Sequence, residues 1–121
     1  MGVRDRLRSL APATSDLGVQ RLTDRFEALG LVPLASAPAR VRTTVCGEVV
    51  RITLKPRAGA SSTELVIDDG TGQATVVFSG RPSVRGIGHG TGMVIDGVGF
   101  EERGRLVFLN PAYRLLPAHA E

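Results

Sequence analysis

"VIDDGTGQATVVFSGR", Val66 to Arg81, is the stretch whose reading decides the fold. Its centre, Asp68-Asp69-Gly70-Thr71-Gly72, is either a catalytic loop built on two adjacent carboxylates or a tight turn between strands. The flanks favour the turn. Leu65 and Ile67 share one phase before it, and Ala74, Val76 and Phe78 share one phase after it. Gln73, Thr75, Val77 and Ser79 take the opposite phase, as in a strand with one face on a core. Asp-Gly is a pair that hairpin turns with positive φ select. The stretch therefore predicts two antiparallel strands with Glu64, Val66 and Asp68 pointing outward.

Upstream, "VRTTVCGEVVRITLK" (Val41 to Lys55) has a period of two that changes phase. Val41, Val45 and Val49 share one side; Val50, Ile52 and Leu54 share the other. One extra residue reverses every later side chain, so the switch at Val49-Val50 predicts a β-bulge or a sharp bend in a long strand. Downstream, "MVIDGVGFEE" is a curved strand with internal glycines, and "RLVFLN" a strand with Leu106 and Phe108 inward, stopped by Pro111. Five strands, a bent first strand and glycine corners predict a small closed or nearly closed barrel.

The first forty residues read differently. "SDLGVQRLTDRFEALG" places Val19, Leu22, Phe26 and Leu29 on one helical face, with Ser15 as N-cap and Gly30 as the stop. Before it, "VRDRLRSL" forms a short basic helix or a frayed terminus, with Val3, Leu7 and Leu10 on one side. "VPLASAPAR" then breaks the helical period. The division is a helical segment and linker over 1–40 and a barrel over 41–121.

With 121 residues the chain makes one ordinary domain. The net charge is only +3, and Lys55 is the one lysine among 15 cationic residues. Arginine binds phosphate bidentately and stacks on bases, but so small a net charge does not by itself demand a polyanion partner. Cys46 is the sole cysteine and excludes an internal disulfide. His89 and His119 are isolated, so no metal site is expected. No apolar run is long enough for a signal peptide or membrane span, which makes the chain cytosolic.

Glycine-rich "GIGHGTGM" (Gly86 to Met93) suggests a phosphate loop, but a strand follows it where such a loop needs a helix. It is read instead as a short connection between strands. Aspartic proteases carry Asp-Thr-Gly in paired loops; here Gly70 separates Asp69 from Thr71 and no second copy exists. No nucleophile–base pair stands out either, so catalysis is not expected.

The order "VCGEV … DDGTGQATVVFSGR … GHGTGMVIDGVGFEERGRLVFLNPAY" resembles oligonucleotide/oligosaccharide-binding (OB) domains. It is most similar to small actinobacterial OB-fold nucleic-acid-binding proteins, and also to the wedge-type OB domain of the helicase that remodels stalled replication forks. Gly47 matches the glycine of the family's first strand, and Asp69 to Gly72 the turn between the second and third. Gly90 and Gly97 match the glycine-flanked fourth strand, stretched by one residue. Asn110-Pro111-Ala112-Tyr113 matches the closing motif. The resemblance covers Val41 to Leu116.

It implies an all-β fold with an N-terminal helix: a five-stranded Greek-key barrel over roughly 41–116. It also implies a non-enzymatic, cofactor-free module of a bacterial cytoplasmic protein. The ligand would be DNA or RNA, single-stranded or structured, bound on the outer face of the second and third strands between two loops. The residues implied are Arg51, Lys55 and Arg57 around the first loop, and Gln73 and Thr75 along the groove. Arg81 would lie after the third strand, and Arg103 and Arg105 in the second loop. No aromatic stands on the second or third strand, and Asp68 faces the groove. Tyr113 is assigned to closing the barrel end. The alternative is a protein-interaction module that docks a partner through the barrel face and the N-terminal helix, without nucleic-acid binding.

Overall fold

The computed structural model describes residues 16–57, 59–80 and 84–117. The basic segment from Val3 to Leu10, the Ser15 cap, Arg81 and His119 lie outside the described residues. The elements are a helix α1 (Asp16–Glu27), a 3-10 turn (Leu34–Ser36) and strands β1 (Arg42–Arg57), β2 (Ala60–Asp68), β3 (Gln73–Ser79), β4 (Gly92–Glu102), β5 (Arg105–Leu109) and β6 (Ala112–Leu115). Among the described residues no helix is long and apolar enough to cross a membrane.

The strands run in the order β1-β2-β3-β5-β4, and a further β1–β4 pairing closes the ring. The bend in β1 makes closure possible. Arg42 to Glu48 pair with β4, Glu48 to Arg57 pair with β2, and the register slips between Val49 and Arg51. Val50 is thus the extra residue of the expected bulge, and Ile52 packs on the core beyond it. Val50, the bulge residue, and Leu54, near the hairpin end of β1, are exposed while Ile52 packs on the core, so the three do not share one side as their phase suggested. Val41 precedes the strand and is exposed as well. A Cβ at Gly47 would stand 3.0 Å from the Asp68 amide nitrogen and from Ile67 Cβ, so only glycine allows β1 to cross so close to β2.

Leu65, Ile67, Ala74, Val76, Phe78, Leu106 and Phe108 fill the core with Val45, Val49, Met93 and Ile95. β6 was not expected. It pairs with β4 beyond Pro111 and sets Tyr113 opposite Ile95, with its ring edge-on to Phe78 at 5.2 Å. That contact closes the barrel end.

Helix α1 has twelve residues, too few for stability alone. It is held by Leu22 and Phe26, which bury against Cys46 of β1 and Val94 of β4, contributing about 1.5–3 kcal/mol per large side chain. Leu29 falls in the turn after the helix and is exposed, because α1 ends at Glu27 rather than running to Gly30. Gly30 takes the left-handed conformation expected of a helix stop, with φ 68°.

The Asp68–Gly72 corner is a turn, and it also fastens the N-terminal elements. Gly70 has φ 91°, and a Cβ there would lie 2.7 Å from the Thr23 amide of α1. Asp69 Oδ2 accepts the Leu34 amide at 3.0 Å, and Thr71 Oγ1 accepts the Ala35 amide at 3.1 Å.

Candidate functional site

Core-facing residues fix which side chains point outward. The register carries one outward row across the sheet: Arg51 (β1), Val66 (β2), Thr75 (β3), Val107 (β5) and Phe100 (β4). Arg51, Val66, Gln73, Thr75 and Arg105 line a surface cleft of about 120 Å³. That is below the roughly 300 Å³ at which pockets enclose small molecules, and suits a phosphate or a base edge of a longer ligand. Among the described residues Arg51 and Arg105 take part in no ion pair.

Of the residues named from sequence, Arg51, Gln73, Thr75 and Arg105 come together here. Thr75 and Gln73 are buried, and the Gln73 amide donates to Asp68 Oδ2 at 3.2 Å. Lys55 and Arg57 are on β1 rather than in a loop, because Arg57 pairs with Ala60 across a tight turn with Gly59 at φ 81°. Lys55 Nζ is 3.6 Å from the buried Glu64. The second loop is also shorter than expected. Arg103 and Gly104, both with positive φ, form the whole β4–β5 turn, which leaves Arg103 exposed outside the cleft and places Arg105 on β5.

Asp68 does not face the groove as an exposed carboxylate. It is 2% exposed, and its Oδ1 accepts the Gly70 amide at 2.8 Å. Asp69 is buried, and besides Leu34 it accepts the amides of Thr71 and Gly72 and the Thr71 hydroxyl. Val77, outward in phase, is also buried, since β3 is flanked by β2 and β5.

The sequence left the phase of Phe100 open, dependent on the Gly97 and Gly99 corners. Phe100 is half-buried, outward, and paired with Val107. Strands lie about 4.8 Å apart, which puts its backbone roughly 10 Å from Thr75. Glycine supplied the signal. A Cβ at Gly99 would lie 3.0 Å from Leu106 Cδ1 and 3.2 Å from the Phe108 ring, so the Gly97/Gly99 phase faces inward and Phe100 must face outward.

Cys46 is buried, and its thiol is pushed up to about 11 by burial and by the nearby Asp69 charge. Among the described residues no three His, Cys, Asp or Glu side chains are grouped to hold a metal ion.

No protein-family model and no curated protein matches the chain. Among solved structures, a chain in the crystal structure of yeast Stn1 and Ten1 is similar, with a TM-score of 0.51 over 95% of this chain and 69% of that one, at 14% identity. The barrel is an OB fold. At that identity the likeness speaks for architecture, and function has to be argued from the site.

Proposed function

We propose that this protein is a nucleic-acid-binding OB-fold module that grips a single strand on the outer face of β1, β2, β3, β5 and β4. The observation that carries the reading is the single row from Arg51 through Thr75 to Phe100, with Arg105 beside it. Arg51 and Arg105 contact phosphates, Gln73 and Thr75 offer hydrogen bonds at the cleft floor, and Phe100 stacks a base. Stacking contributes about 1–3 kcal/mol per base, the term the second and third strands lack. The module binds and does not catalyse: the carboxylates of Asp68 and Asp69 accept the hydrogen bonds that hold the corner.

The test is a titration of labelled single-stranded oligonucleotides at several salt concentrations. Each phosphate neutralised on a single strand adds about 0.7 to the slope of log K against log salt. Arg51→Glu combined with Arg105→Glu therefore lowers that slope by about 1.4 and weakens binding. Absence of binding at low salt in the unaltered protein refutes the reading.

A protein-interaction role draws support from Val98 and Leu109, outward, apolar and exposed on β4 and β5. The apolar face of α1 does not serve it, since Leu22 and Phe26 are spent on the barrel. Recovery of a protein partner, lost on Val98→Asp plus Leu109→Asp, together with no oligonucleotide binding, supports it over the first reading.

A further inference from the structure

A cavity larger than the outer-face cleft lies away from that row. It has a volume of about 490 Å³ and lies between α1, the start of β4 and the Gly86–Gly92 connection, lined by Arg21, Arg25, Glu48, His89, Gly90 and Leu116 among others. This is within the size range of small-ligand sites. We propose that this cavity is a second binding site, which takes a phosphoryl group on the Arg25 guanidinium.

Unmet hydrogen bonding of the Arg25 guanidinium supports the assignment. Two guanidiniums face one carboxylate: Arg21 grips Glu48 with both terminal nitrogens at 3.0 and 2.9 Å, and Arg25 Nη1 donates to Glu48 Oε1 at 2.7 Å. The Arg25 side chain is 7% exposed, and its only hydrogen bonds among the described residues come from Nη1, to Glu48 and to the Gly90 carbonyl at 3.1 Å. Nε and Nη2 have no acceptor among the described residues. Buried donors are rarely left so, and a guanidinium presents them as a fork matched to a phosphate.

The cavity wall suits such a ligand. A Cβ at Gly88 or Gly90 would meet no atom within 4 Å, whereas one at Gly92 would stand 2.8 Å from Arg25 Nη2. Glycine at 92 leaves the guanidinium its place. The loop amides do not form a phosphate loop: Gly90 N–H donates to Val49 O, Thr91 N–H to Gly88 O, and Gly88 N–H to Thr91 Oγ1. Recognition therefore falls to the arginine side chains. Leu115 and Leu116 give the cavity an apolar end, where the organic part of a phosphate ester would lie.

The phosphoryl group has two possible sources, a free phosphate or nucleotide, or the phosphorylated end of a strand. The test is an NMR titration of the isotope-labelled full chain with inorganic phosphate, referenced to chloride at equal ionic strength. The Arg25 Nε–H resonance and the Gly90 and Gly92 amides should move saturably. Arg25→Lys, which keeps the charge and loses the fork, should weaken the response about tenfold. If Arg25→Lys does not fold, Arg21→Gln is the second variant, with weakening in the same direction. A 5′-phosphorylated oligothymidylate that perturbs these resonances more strongly than its 5′-hydroxyl counterpart identifies a strand end as the source. Equal effects of the two oligonucleotides, with a response to inorganic phosphate, identify the free form. The proposal is overturned if these resonances respond no more to phosphate than to chloride, if only Arg51 and Arg105 respond, or if the variant that folds responds as the unaltered protein does.

Discussion

Replacing Asp69 with alanine tests whether the Asp-Asp-Gly-Thr-Gly corner is a fastening rather than a reactive loop. The Asp69 side chain is buried and accepts four hydrogen bonds: from the Leu34 amide at 3.0 Å, the Thr71 amide at 2.9 Å, the Thr71 hydroxyl at 2.6 Å and the Gly72 amide at 3.3 Å. Alanine leaves three backbone donors without that acceptor. Leu34 and Gly72 are buried, while Thr71 is reached by solvent and can re-pair with water. A buried donor left unsatisfied costs about 1–3 kcal/mol, so the two shielded amides and the partly relieved Thr71 give a loss of about 3–4 kcal/mol. A chain of this size has an unfolding entropy near 0.25 kcal/mol/K, which converts the loss to a fall in Tm of about 12–16 °C. Calorimetry or thermal circular dichroism measures it directly. Asp69→Asn should fall between, because its amide keeps one acceptor but turns a donor toward either Leu34 or Thr71. A fall below about 3 °C for the alanine variant would refute the fastening role, since even one orphaned buried amide costs more.

Other expectations follow from the same geometry. Burial alone would raise the Glu48 carboxyl, but hydrogen bonds from Arg21 and Arg25, and their charges, hold it below its ordinary 4.5. Its contribution to stability is therefore present above that value and is lost as pH falls through the lower folded value. Thermal melts from about pH 7 to about pH 3 should show Glu48→Gln destabilised at neutral pH but with a shallower acid decline; parallel curves would contradict this. With its thiol pushed up to about 11, Cys46 should resist a thiol-specific disulfide reagent in the folded protein and react fully in denaturant. A folded-state rate near that of a free thiol would sink that reading. On the outer face, Phe100→Ala should raise the oligonucleotide Kd about 5- to 100-fold, while Arg103→Ala, outside the cleft, changes it little. Equal effects from the two would dissociate binding from the row.

What could be read from sequence was what neighbours along the chain dictate. The corner at Asp69-Gly70, the bulge at Val49-Val50, the inward phase of Leu106 and Phe108 and the stop at Gly30 each rest on a few adjacent residues. What could not be read depends on register between strands. Lys55 and Arg57 were expected in a loop, yet Ser62 and Ala60 lie opposite them on β2. Gln73, Thr75 and Val77 alternate like an exposed face, and become buried because β3 has a strand on either side. Phe100 is brought into the row by pairing with Val107, and Gly99 reveals this only once Leu106 and Phe108 are known to lie against it.

The same distinction resolves how a chain of net charge +3 can address a polyanion. Four of its 15 cationic residues are committed internally: Arg21 and Arg25 to Glu48, Arg42 to Asp96, and Lys55 to Glu64. These pairs join α1 to β1 and bridge the β1–β4 and β1–β2 seams, and contribute little field at a distance. Arg51 and Arg105 meet across one cleft and, among the described residues, take part in no ion pair. Local potential follows from which charges are left uncompensated, and where, rather than from their sum. Arg40, Arg85, Arg103 and Arg114 also take part in no ion pair among the described residues, but Arg51 and Arg105 are the two that meet at one cleft, on and beside the row that ends at Phe100. Charge reversal there should therefore cost more affinity than reversal of any cation held in a pair, and comparing Arg51→Glu with Arg42→Glu at matched salt tests that ordering directly.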